Sequence, residues 1–263
     1  MSIAAPRPVT LITGASTGIG AALAHVFAAH GHELVLVARR EQLLAGLADA
    51  IAATGAPRPM VLRADVARID ATRQIADALA AGGREPEIVV NNAGFGLAGP
   101  AAALDRGEQL AMIDLNVRAL TDLSLAFLDT LERRKGGILN VASIAAFLPG
   151  PGMAVYYATK AYVLSFSEAL HHELAPKGVR VTTLAPGPVP TGFQARAGVT
   201  AMKFPRALTC SADEVAQAGY RGLKQGARVV VPGLGNKLVT VLVGMLPRGR
   251  VLDLAASRNR ART

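Results

Sequence analysis

Short apolar runs alternate with longer segments of helical periodicity along most of the chain. Seven runs are almost continuously apolar, which is typical of strands buried on both faces of a parallel sheet. The predicted strands are Val9–Thr13, Glu33–Ala38, Pro59–Ala64, Ile88–Asn91, Ile138–Ala142, Val179–Leu184 and Arg228–Val231. The predicted helices between them are Ile19–Ala29, Gln42–Ala53, Asp70–Leu79, Arg106–Arg134, Ala154–Leu174 and Ala212–Lys224. This alternation predicts a doubly wound α/β fold, with about seven parallel strands and helices on both faces of the sheet.

The chain shows no linker, repeat or low-complexity boundary, so we expect residues 1–263 to form a single domain. Within it, residues 186–208 contain four prolines and three glycines and have little periodicity. A loop of this length inside a compact domain is usually functional, and we interpret it as a substrate lid. Ser211 followed by Glu214 is a capping-box pattern, which predicts that a helix begins there.

The C-terminal arm, residues 233–263, combines an apolar helix with a basic tail. The helix carries an apolar stripe of Leu234, Leu238, Val241, Leu242 and Met245, with Val239, Val243 and Leu246 on its other side. Pro247 ends it, and the arginines that follow are Arg248, Arg250, Arg258, Arg260 and Arg262. A helix that is apolar nearly all round is buried, in an interface or in lipid. We favour burial against the substrate pocket or a partner subunit, and peripheral binding to anionic lipid is the alternative.

Composition narrows the classes of function. A hydrophobic content of 51% and a charged content of 18% permit a large core. The single cysteine, Cys210, excludes an intramolecular disulfide, and the five histidines lack metal-ligand spacing, so no metal site is expected. Much of the net charge of +9 lies in the tail, and aromatic residues make up only 4%, so nucleic-acid binding is not expected. The chain begins without the apolar run of a signal peptide, and we expect a cytoplasmic protein.

A glycine-rich turn directly follows the first predicted strand. It reads Thr13-Gly14-Ala15-Ser16-Thr17-Gly18-Ile19-Gly20 and leads into a helix. Glycines let the backbone turn tightly and approach a pyrophosphate, and the helix N-terminus offers free N–H groups and the positive end of its dipole. The spacing differs from the more familiar G-x-G-x-x-G fingerprint, and a turn without a ligand is the alternative interpretation.

Further motifs follow along the chain. They are Asp65, Asn91-Asn92-Ala93-Gly94, Asn116, Ser143, Tyr156-x-x-x-Lys160 and Pro186-Gly187. Together with the glycine-rich turn, they resemble the short-chain dehydrogenase/reductase family over nearly the whole chain. The C-terminal part resembles, more loosely, a subgroup of broad-specificity members that prefer NADP. The resemblance implies a Rossmann-type fold and hydride transfer between a nicotinamide cofactor and a carbonyl or alcohol carbon.

Tyr156 and Lys160 are four residues apart on a predicted helix and therefore share one face. An ammonium group at about 5 Å favours the phenolate by roughly 3 kcal/mol at an effective dielectric of about 20. This would lower the pKa of Tyr156 by about two units from its usual value near 10 and make the phenol a useful general acid or base. Tyr157 is one position off this register, and we interpret it as packing or pocket lining.

The resemblance assigns roles to the other motif residues. It implies that Ser143 orients the substrate oxygen and that Asn116 anchors a water beside Lys160 in a proton relay; helix distortion or capping is the alternative role for Asn116. It implies that Asn91 supports the sheet. The implied cofactor contacts are Gly14, Ser16, Thr17, Gly18, Ile19, Gly20, Asp65, Val66, Asn92, Ala93, Gly94, Tyr156, Lys160, Pro186, Gly187, Val189 and Thr191.

Arg39 and Arg40 follow the second predicted strand, where an enzyme that prefers NAD usually has an acidic residue for the ribose 2′-hydroxyl. A guanidinium instead suits a 2′-phosphate, because it offers forked donors and a permanent charge. Arg39 is the stronger candidate because it is nearer the strand end. The pair therefore predicts NADP as the cofactor.

We therefore expect an NADP-dependent oxidoreductase for the carbonyl or secondary alcohol of a small molecule. Phe193, Met202 and Phe204 in the lid favour an apolar substrate. A non-catalytic NADP-binding sensor and a peripheral membrane-surface protein are the alternatives. A homodimer or homotetramer is expected, because Arg106–Arg134 and Ala154–Leu174 are apolar on more than one face.

Overall fold

The computed structural model describes residues 5–199 and 205–260, and a seven-stranded sheet lies at its centre. The strands are β1 (Arg7–Thr13), β2 (Leu34–Ala38), β3 (Met60–Arg63), β4 (Arg84–Asn91), β5 (Gly137–Val141), β6 (Arg180–Leu184) and β7 (Val229–Val230). Their order is β3-β2-β1-β4-β5-β6-β7, and every neighbouring pair is parallel. This is the order of a doubly wound, Rossmann-type sheet, and it confirms the predicted fold class.

The helices cover both faces of the sheet. They are α1 (Gly18–Ala29), α2 (Glu41–Ala52), α3 (Ala71–Ala81), α4 (Arg106–Ile113), α5 (Leu120–Ala126), α6 (Leu128–Arg134), α7 (Ala154–Leu174), α8 (Phe193–Ala197), α9 (Ala212–Gln225), α10 (Leu234–Met245) and α11 (Arg248–Arg260). One core layer packs α1, α2 and α9 against the sheet through residues such as Phe27 and Leu223. The other packs α3, α5, α6 and α7 through residues such as Ile75 and Leu170. α9 begins with the predicted capping box of Ser211 and Glu214.

Six predicted strands agree with the structure to within two residues at each end, whereas β4 begins four residues early, at Arg84. The part of β4 before Ile88 is mostly polar, so the pattern of apolar residues does not predict it. It is a strand because Arg84–Pro86 pair with Arg7–Val9 of β1. Arg133 and Arg134 bind the Glu85 carboxylate there and hold its pKa below the usual range.

The prediction of one continuous helix over Arg106–Arg134 is wrong. α4 passes into a π-helical segment, Asp114–Ala119, before α5 begins, and Phe127 separates α5 from α6 with φ and ψ of −110° and 10°. Asn116 lies buried within the π-helical segment. Such segments widen a helix by one residue and often occur at functional sites.

The predicted lid, residues 186–208, is only partly irregular. It contains α8 and a 3₁₀ turn at Arg206–Leu208. Phe193 begins α8, whereas Met202 and Phe204 lie outside the described residues.

One half of the favoured prediction for the C-terminal arm is wrong, whereas burial of the arm against a partner subunit stays a prediction. Leu234 is 84% exposed and Met245 is 77% exposed, so the apolar stripe of α10 is not buried against the substrate pocket of this chain. α10 ends just before Pro247, as predicted, and the chain then resumes as α11. In residues 5–199 and 205–260, no helix is long and apolar enough to cross a membrane.

Candidate active site

The predicted functional residues converge on the carboxyl edge of the sheet. The glycine-rich turn follows β1, Asn92 follows β4, Ser143 lies two residues after β5, and Pro186 lies two residues after β6. Successive strands are added outward on opposite sides of the β1–β4 pair, which makes this pair the switch point of the topology. In open parallel sheets, ligands bind in the crevice beyond such a point. This crevice is the candidate active site.

The glycine-rich turn is tied to the loop that follows β4. Gly14 and Gly18 adopt positive φ angles of 63° and 61°, which glycine adopts without steric cost. A Cβ on Gly14 would also lie 2.8 Å from the Cα of Ala93. The Thr13 hydroxyl accepts hydrogen bonds from the backbone N–H groups of Asn92 and Ala93, at 3.0 and 3.2 Å. Only its position at the strand end marks Thr13 in the sequence, and its bonds hold the two loops at the distance that the crevice requires.

The N-terminus of α1 fits an anionic ligand. Thr17 is the N-cap residue, yet within the described chain its hydroxyl makes no capping bond, and the first turn of the helix contains no acidic residue. The first N–H groups and the positive end of the helix dipole therefore point into the crevice. The predicted contact residues Ile19 and Gly20 belong to this first turn.

Arg40, rather than the favoured Arg39, contacts the glycine-rich turn. Its Nη2 donates hydrogen bonds to the hydroxyl groups of Ser16 and Thr17, both at 3.0 Å. Arg39 is exposed to solvent beside it. The turn therefore combines unpaired N–H groups, two hydroxyls and a guanidinium, a donor set that fits a phosphorylated dinucleotide.

Asp65 and Val66 lie beyond the end of β3, on the same edge of the sheet. The Asp65 carboxylate accepts a hydrogen bond from the backbone N–H of Ala67 at 3.1 Å, which fixes a local turn. Val66 is 8% exposed and belongs to the core layer. The cofactor contacts predicted for these two residues stay predictions.

Tyr156 and Ser143 meet beyond the end of β5. Tyr156 lies in the first turn of α7 and is only 9% exposed. Ser143 begins the 3₁₀ turn Ile144–Phe147, and its hydroxyl accepts a hydrogen bond from the Ala145 N–H at 3.1 Å. It donates a long bond of 3.4 Å to the Pro186 carbonyl. The Ser143 side chain also hydrogen-bonds the phenol of Tyr156 and thereby lowers its pKa. The two hydroxyl groups therefore share one side of the crevice.

The expectation that Lys160 lowers the pKa of Tyr156 is wrong for this geometry. Burial raises the pKa of Tyr156 to about 12, and this effect outweighs the hydrogen bond with Ser143. Lys160 Nζ lies 6.0 Å from the centroid of the phenol ring and donates a hydrogen bond to the Val141 carbonyl at 2.8 Å. Burial lowers the pKa of Lys160 to about 8, so the charge that should act on the phenol is itself disfavoured.

Tyr157 packs beside Tyr156, in agreement with its interpretation as a packing or pocket-lining residue. Its ring covers Gly150, where a Cβ would lie 2.3 Å from the ring carbons. The rings of Tyr156 and Tyr157 meet edge to face, with centroids 6.1 Å apart.

Asn116 clamps the loop that follows β4. Its side-chain oxygen accepts a hydrogen bond from the Phe95 N–H at 3.1 Å, and its Nδ2 donates to the Phe95 carbonyl at 2.9 Å and to the Thr159 hydroxyl at 3.0 Å. A Cβ on Gly94 would lie 3.0 Å from this oxygen and 3.5 Å from Lys160 Nζ. Asn116 therefore lies in a distorted helix, which agrees with the alternative role considered for it, and it also lies beside Lys160. Its role in a proton relay stays a prediction.

Asn91 supports the sheet, as the resemblance implied. Its Nδ2 donates to the Ser124 hydroxyl and to the Asn140 side-chain oxygen, both at 2.9 Å. Asn140 continues the chain of bonds to the Ser167 hydroxyl at 2.8 Å. These buried bonds connect β4 and β5 to α5 and α7, and α7 carries Tyr156.

The segment after β6 lies across the crevice. Thr191 packs on the glycine-rich turn, because a Cβ on Gly18 would lie 3.2 Å from its Cγ2. Val189 is buried, and its carbonyl accepts a hydrogen bond from Gln194 Nε2 at 2.5 Å. Gly187 lies against the buried amide of Asn236, whose Oδ1 would be 2.4 Å from a Cβ there. Asn236 was not predicted, although a lone amide in an apolar helix is a signal that could have found it.

α8 closes over Tyr156. The rings of Phe193 and Tyr156 lie 5.3 Å apart between centroids. Arg196 forms two hydrogen bonds with the Glu108 carboxylate of α4, at 2.8 and 3.2 Å, and lies 4.6 Å above the Phe95 ring. An ion pair and a cation–π contact therefore hold this segment against the loop after β4.

The fold and the crevice together define a Rossmann-type dinucleotide-binding protein. Comparison with known proteins supports this class. A model of the short chain dehydrogenase family matches residues 8–200. Sulfoacetaldehyde reductase 2 of Chromohalobacter salexigens is 39% identical over 188 residues, which cover 70% of this chain and 74% of that protein. Serine 3-dehydrogenase of Agrobacterium fabrum is 37% identical over 184 residues, covering 70% and 72%.

Solved structures give the same result. A short-chain dehydrogenase from Sphingobium yanoikuyae in complex with NADPH has a TM-score of 0.80 and 33% identity, covering 90% of this chain and 94% of that one. A bulky-bulky ketone specific alcohol dehydrogenase from Comamonas testosteroni has a TM-score of 0.76 and 31% identity, covering 90% and 93%. The chain belongs to the short-chain dehydrogenase family, and it is therefore a nicotinamide-dependent oxidoreductase.

Proposed function

We propose that this protein uses NADP(H) and reduces the carbonyl group of an apolar small molecule, with oxidation of the secondary alcohol as the reverse reaction. The observation that carries the proposal is the approach of Ser143 and Lys160 to the buried phenol of Tyr156 beside the phosphate-binding turn. The bound cofactor supplies the hydride.

The protonation state of Tyr156 suits the role of a proton donor. A pKa of about 12 keeps the phenol protonated at neutral pH, so Tyr156 can donate its proton to the carbonyl oxygen as negative charge develops there. The long bond of 3.4 Å from Ser143 to Pro186 is weak enough to be exchanged for one to the substrate oxygen. The product is then an alcohol that has gained one hydride on carbon and one proton on oxygen.

Lys160 and Asn116 support Tyr156 in this proposal. Lys160 is fixed by the Val141 carbonyl and places its Nζ where it can hold a ribose hydroxyl and return a proton to the phenol. Asn116 keeps the Phe95 backbone and the Gly94 loop in position above Lys160. Both side chains act by positioning and proton supply rather than by touching the carbonyl carbon.

NADP is the proposed cofactor because Arg40 lies on the glycine-rich turn and Arg39 lies beside it, without an acidic residue at the end of β2. The NADPH complex of the Sphingobium enzyme supports the same choice. A 2′-phosphate gains charge-assisted, forked hydrogen bonds from a guanidinium.

The surroundings of Tyr156 support an apolar substrate. Leu97, Met112 and Met153 pack with Tyr156 in one cluster, and Phe95 and Phe193 complete it. Residues 186–208 are the proposed lid of this pocket. The bulky ketone substrate named for the Comamonas enzyme agrees with such a site, whereas sulfoacetaldehyde is small and anionic.

Oxidation of NADPH and NADH, followed by absorbance across a panel of carbonyl compounds, tests the proposal. The panel contains apolar ketones and aldehydes, together with sulfoacetaldehyde. We expect turnover of apolar ketones with NADPH, and Tyr156→Phe should reduce it by roughly a hundred- to ten-thousand-fold without loss of cofactor binding. Tyr157→Phe is the matched control and should have a mild effect. NADPH binding without turnover of any carbonyl would favour the sensor alternative, and turnover of sulfoacetaldehyde alone would contradict the apolar substrate.

A further inference from the structure

The C-terminal arm presents an apolar surface that the chain itself leaves uncovered. Along α10, Leu234, Leu238, Val241, Leu242 and Met245 are 84%, 59%, 59%, 49% and 77% exposed. They recur at intervals of three and four residues and therefore form one continuous stripe. Asn236 alone is buried among the residues of this helix, so α10 is anchored at its first turn and is otherwise at the surface. Burying Leu, Val and Met side chains is favourable, so the stripe favours a partner that covers it.

The charged residues of the arm that carries this stripe are predominantly basic. No acidic residue occurs between Glu214 and Asp253. Lys237 lies on α10, and Arg248 and Arg250 lie at the start of α11, all of them exposed. The arm as a whole has six basic residues and one acidic residue. Its electrostatic complement is therefore an anionic surface.

The stripe and the charges fit lipid better than a second copy of the chain. In a two-fold contact, α10 would pair with its own equivalent and bring the two positive arms together, which costs energy. A membrane surface offers apolar and anionic groups at once. The 12 residues of α10 span about 18 Å, less than the roughly 30 Å of a hydrocarbon core, so the helix is suited to lie along the bilayer and not to cross it.

The arm also borders the active site. α10 packs against the turn Ile144–Phe147, which follows Ser143, and against Arg206–Leu208 at the end of the proposed lid. The buried Asn236 connects α10 to Gly187 of the crevice. A surface bound through α10 would therefore lie next to the substrate side of the molecule.

We propose that α10 and the start of α11 form a docking surface for anionic membranes, with the apolar stripe of α10 at the boundary between headgroups and acyl chains and Arg248 and Arg250 at the lipid phosphates. This inference goes beyond the proposed oxidoreductase function and does not depend on it. It would place the active site beside a reservoir of apolar carbonyl compounds.

Flotation of the full-length protein with vesicles tests this proposal. Vesicles of phosphatidylcholine alone are compared with vesicles that also contain phosphatidylglycerol. We expect binding to the anionic vesicles that weakens as the salt concentration rises. Leu234→Gln/Leu238→Gln/Met245→Gln should reduce the affinity at least a hundredfold, because three exposed apolar side chains lose their burial. Arg248→Gln/Arg250→Gln should reduce it about thirtyfold, since each basic residue near the surface contributes about fivefold.

Matched controls separate the arm from general surface properties. Leu43→Gln/Ile69→Gln removes two exposed apolar residues outside the arm, and Arg73→Gln/Arg221→Gln removes two exposed arginines; both should bind like the unmodified chain. Circular dichroism melting verifies that every variant is folded. Unchanged binding by the stripe variant, or equal binding to neutral vesicles, would overturn the proposal. So would a chain that binds no vesicles but forms a dimer that the stripe variant dissociates in light scattering.

Discussion

Arg39 and Arg40 are neighbours with different surroundings. Arg40 is already bonded to Ser16 and Thr17 of the glycine-rich turn, whereas Arg39 is exposed to solvent at the rim of the crevice. Arg40 therefore shapes a loop that any dinucleotide would use. Arg39 is available to bind the 2′-phosphate, a group that NADP carries and NAD lacks.

We predict that the unmodified enzyme prefers NADP(H) to NAD(H) at least tenfold, which requires only about 1.4 kcal/mol. Arg39→Asp should abolish or reverse this preference, because it removes a cation that binds the 2′-phosphate and adds an acceptor for the 2′-hydroxyl, so that NADH binding is retained or strengthened. Arg40→Ala should weaken both cofactors, because Ser16 and Thr17 lose a common donor. Michaelis constants for both cofactors in the three proteins measure these effects. Equal constants in the unmodified enzyme would refute the NADP preference and leave the reaction class intact.

Lys160 makes stability depend on pH. Its folded-state pKa of about 8 lies below the unfolded value near 10.5, so the unfolded chain binds more protons between these two pH values. The cost of burying the ammonium is fully present below pH 8 and is relieved as pH rises, by up to about 3 kcal/mol.

We predict that the free energy of unfolding of the unmodified chain rises from pH 7.5 to about 9.5 relative to that of Lys160→Met, over a window set by this pKa shift. Urea denaturation of the cofactor-free chains at several pH values measures the difference. Lys224→Met, which removes an exposed lysine, serves as the control and should show no such trend. A difference that is flat with pH would mean that Lys160 keeps its ordinary pKa.

At the scale of elements, the attachment of α8 to α4 can be tested by mutation. Its ion pair to α4 joins Arg196 and Glu108, whose side chains are 46% and 47% exposed. Solvent screens an ion pair with this exposure, so it contributes little, and the cation–π contact with Phe95 is a similarly weak attachment. The proposed lid is therefore held closed by weak contacts, which suits a segment that must open for each substrate.

We predict that Arg196→Glu raises the KM for the carbonyl substrate about two- to tenfold with little effect on kcat, because the repulsion between two carboxylates favours the open lid. The exchanged pair Glu108→Arg/Arg196→Glu should recover most of this loss, since it restores the ion pair without the cation–π contact. Steady-state kinetics at low and high salt measure both effects, and the difference should shrink at high salt. If the exchanged pair is no better than the single variant, the ion pair does not hold the lid.

The π-helical segment around Asn116 shows how one buried side chain reshapes an element. Sequence periodicity is continuous from Arg106 to Arg134, and Asn116, a poor residue for a helix interior, is a local sign of a distortion there. Asn116 makes three hydrogen bonds to Phe95 and Thr159, both distant in sequence. A buried amide that lost these bonds would cost more than the distortion of one helical turn.

For the whole molecule, α4, α5 and α7 leave a second set of apolar residues uncovered. Leu110, Ile113, Leu125 and Tyr162 are 50%, 41%, 48% and 39% exposed. This surface lies on helices far along the chain from α10, and it fits the predicted two-fold pairing of helices between subunits.

We predict a homodimer or homotetramer at micromolar concentration, measured by light scattering. Leu125→Glu should shift the chain towards monomer, because a carboxylate would be buried in the contact. Leu43→Glu is the matched control, since Leu43 is 44% exposed on a helix outside this surface, and it should leave the assembly unchanged. A monomeric unmodified chain would contradict the prediction.

The order of elements and the position of the crevice were predictable from the sequence. Strand and helix periodicities are local, and short runs of apolar residues define them without knowledge of distant partners. The glycines at 14 and 18 predicted a tight turn, and both adopt positive φ. The capping box at Ser211 and Glu214 is likewise a local pattern, and it is present.

The tertiary structure alone decided the properties that depend on burial and on distant contacts. The early start of β4 depends on pairing with β1, and the π-helical segment depends on Phe95. The shared helix face correctly brought Lys160 near Tyr156, but the direction of each pKa shift follows from desolvation, which sequence spacing does not measure. The apolar stripe of α10 was visible in the sequence, yet its exposure is the outcome of packing by the entire chain, because periodicity specifies which residues share a face and not what covers that face.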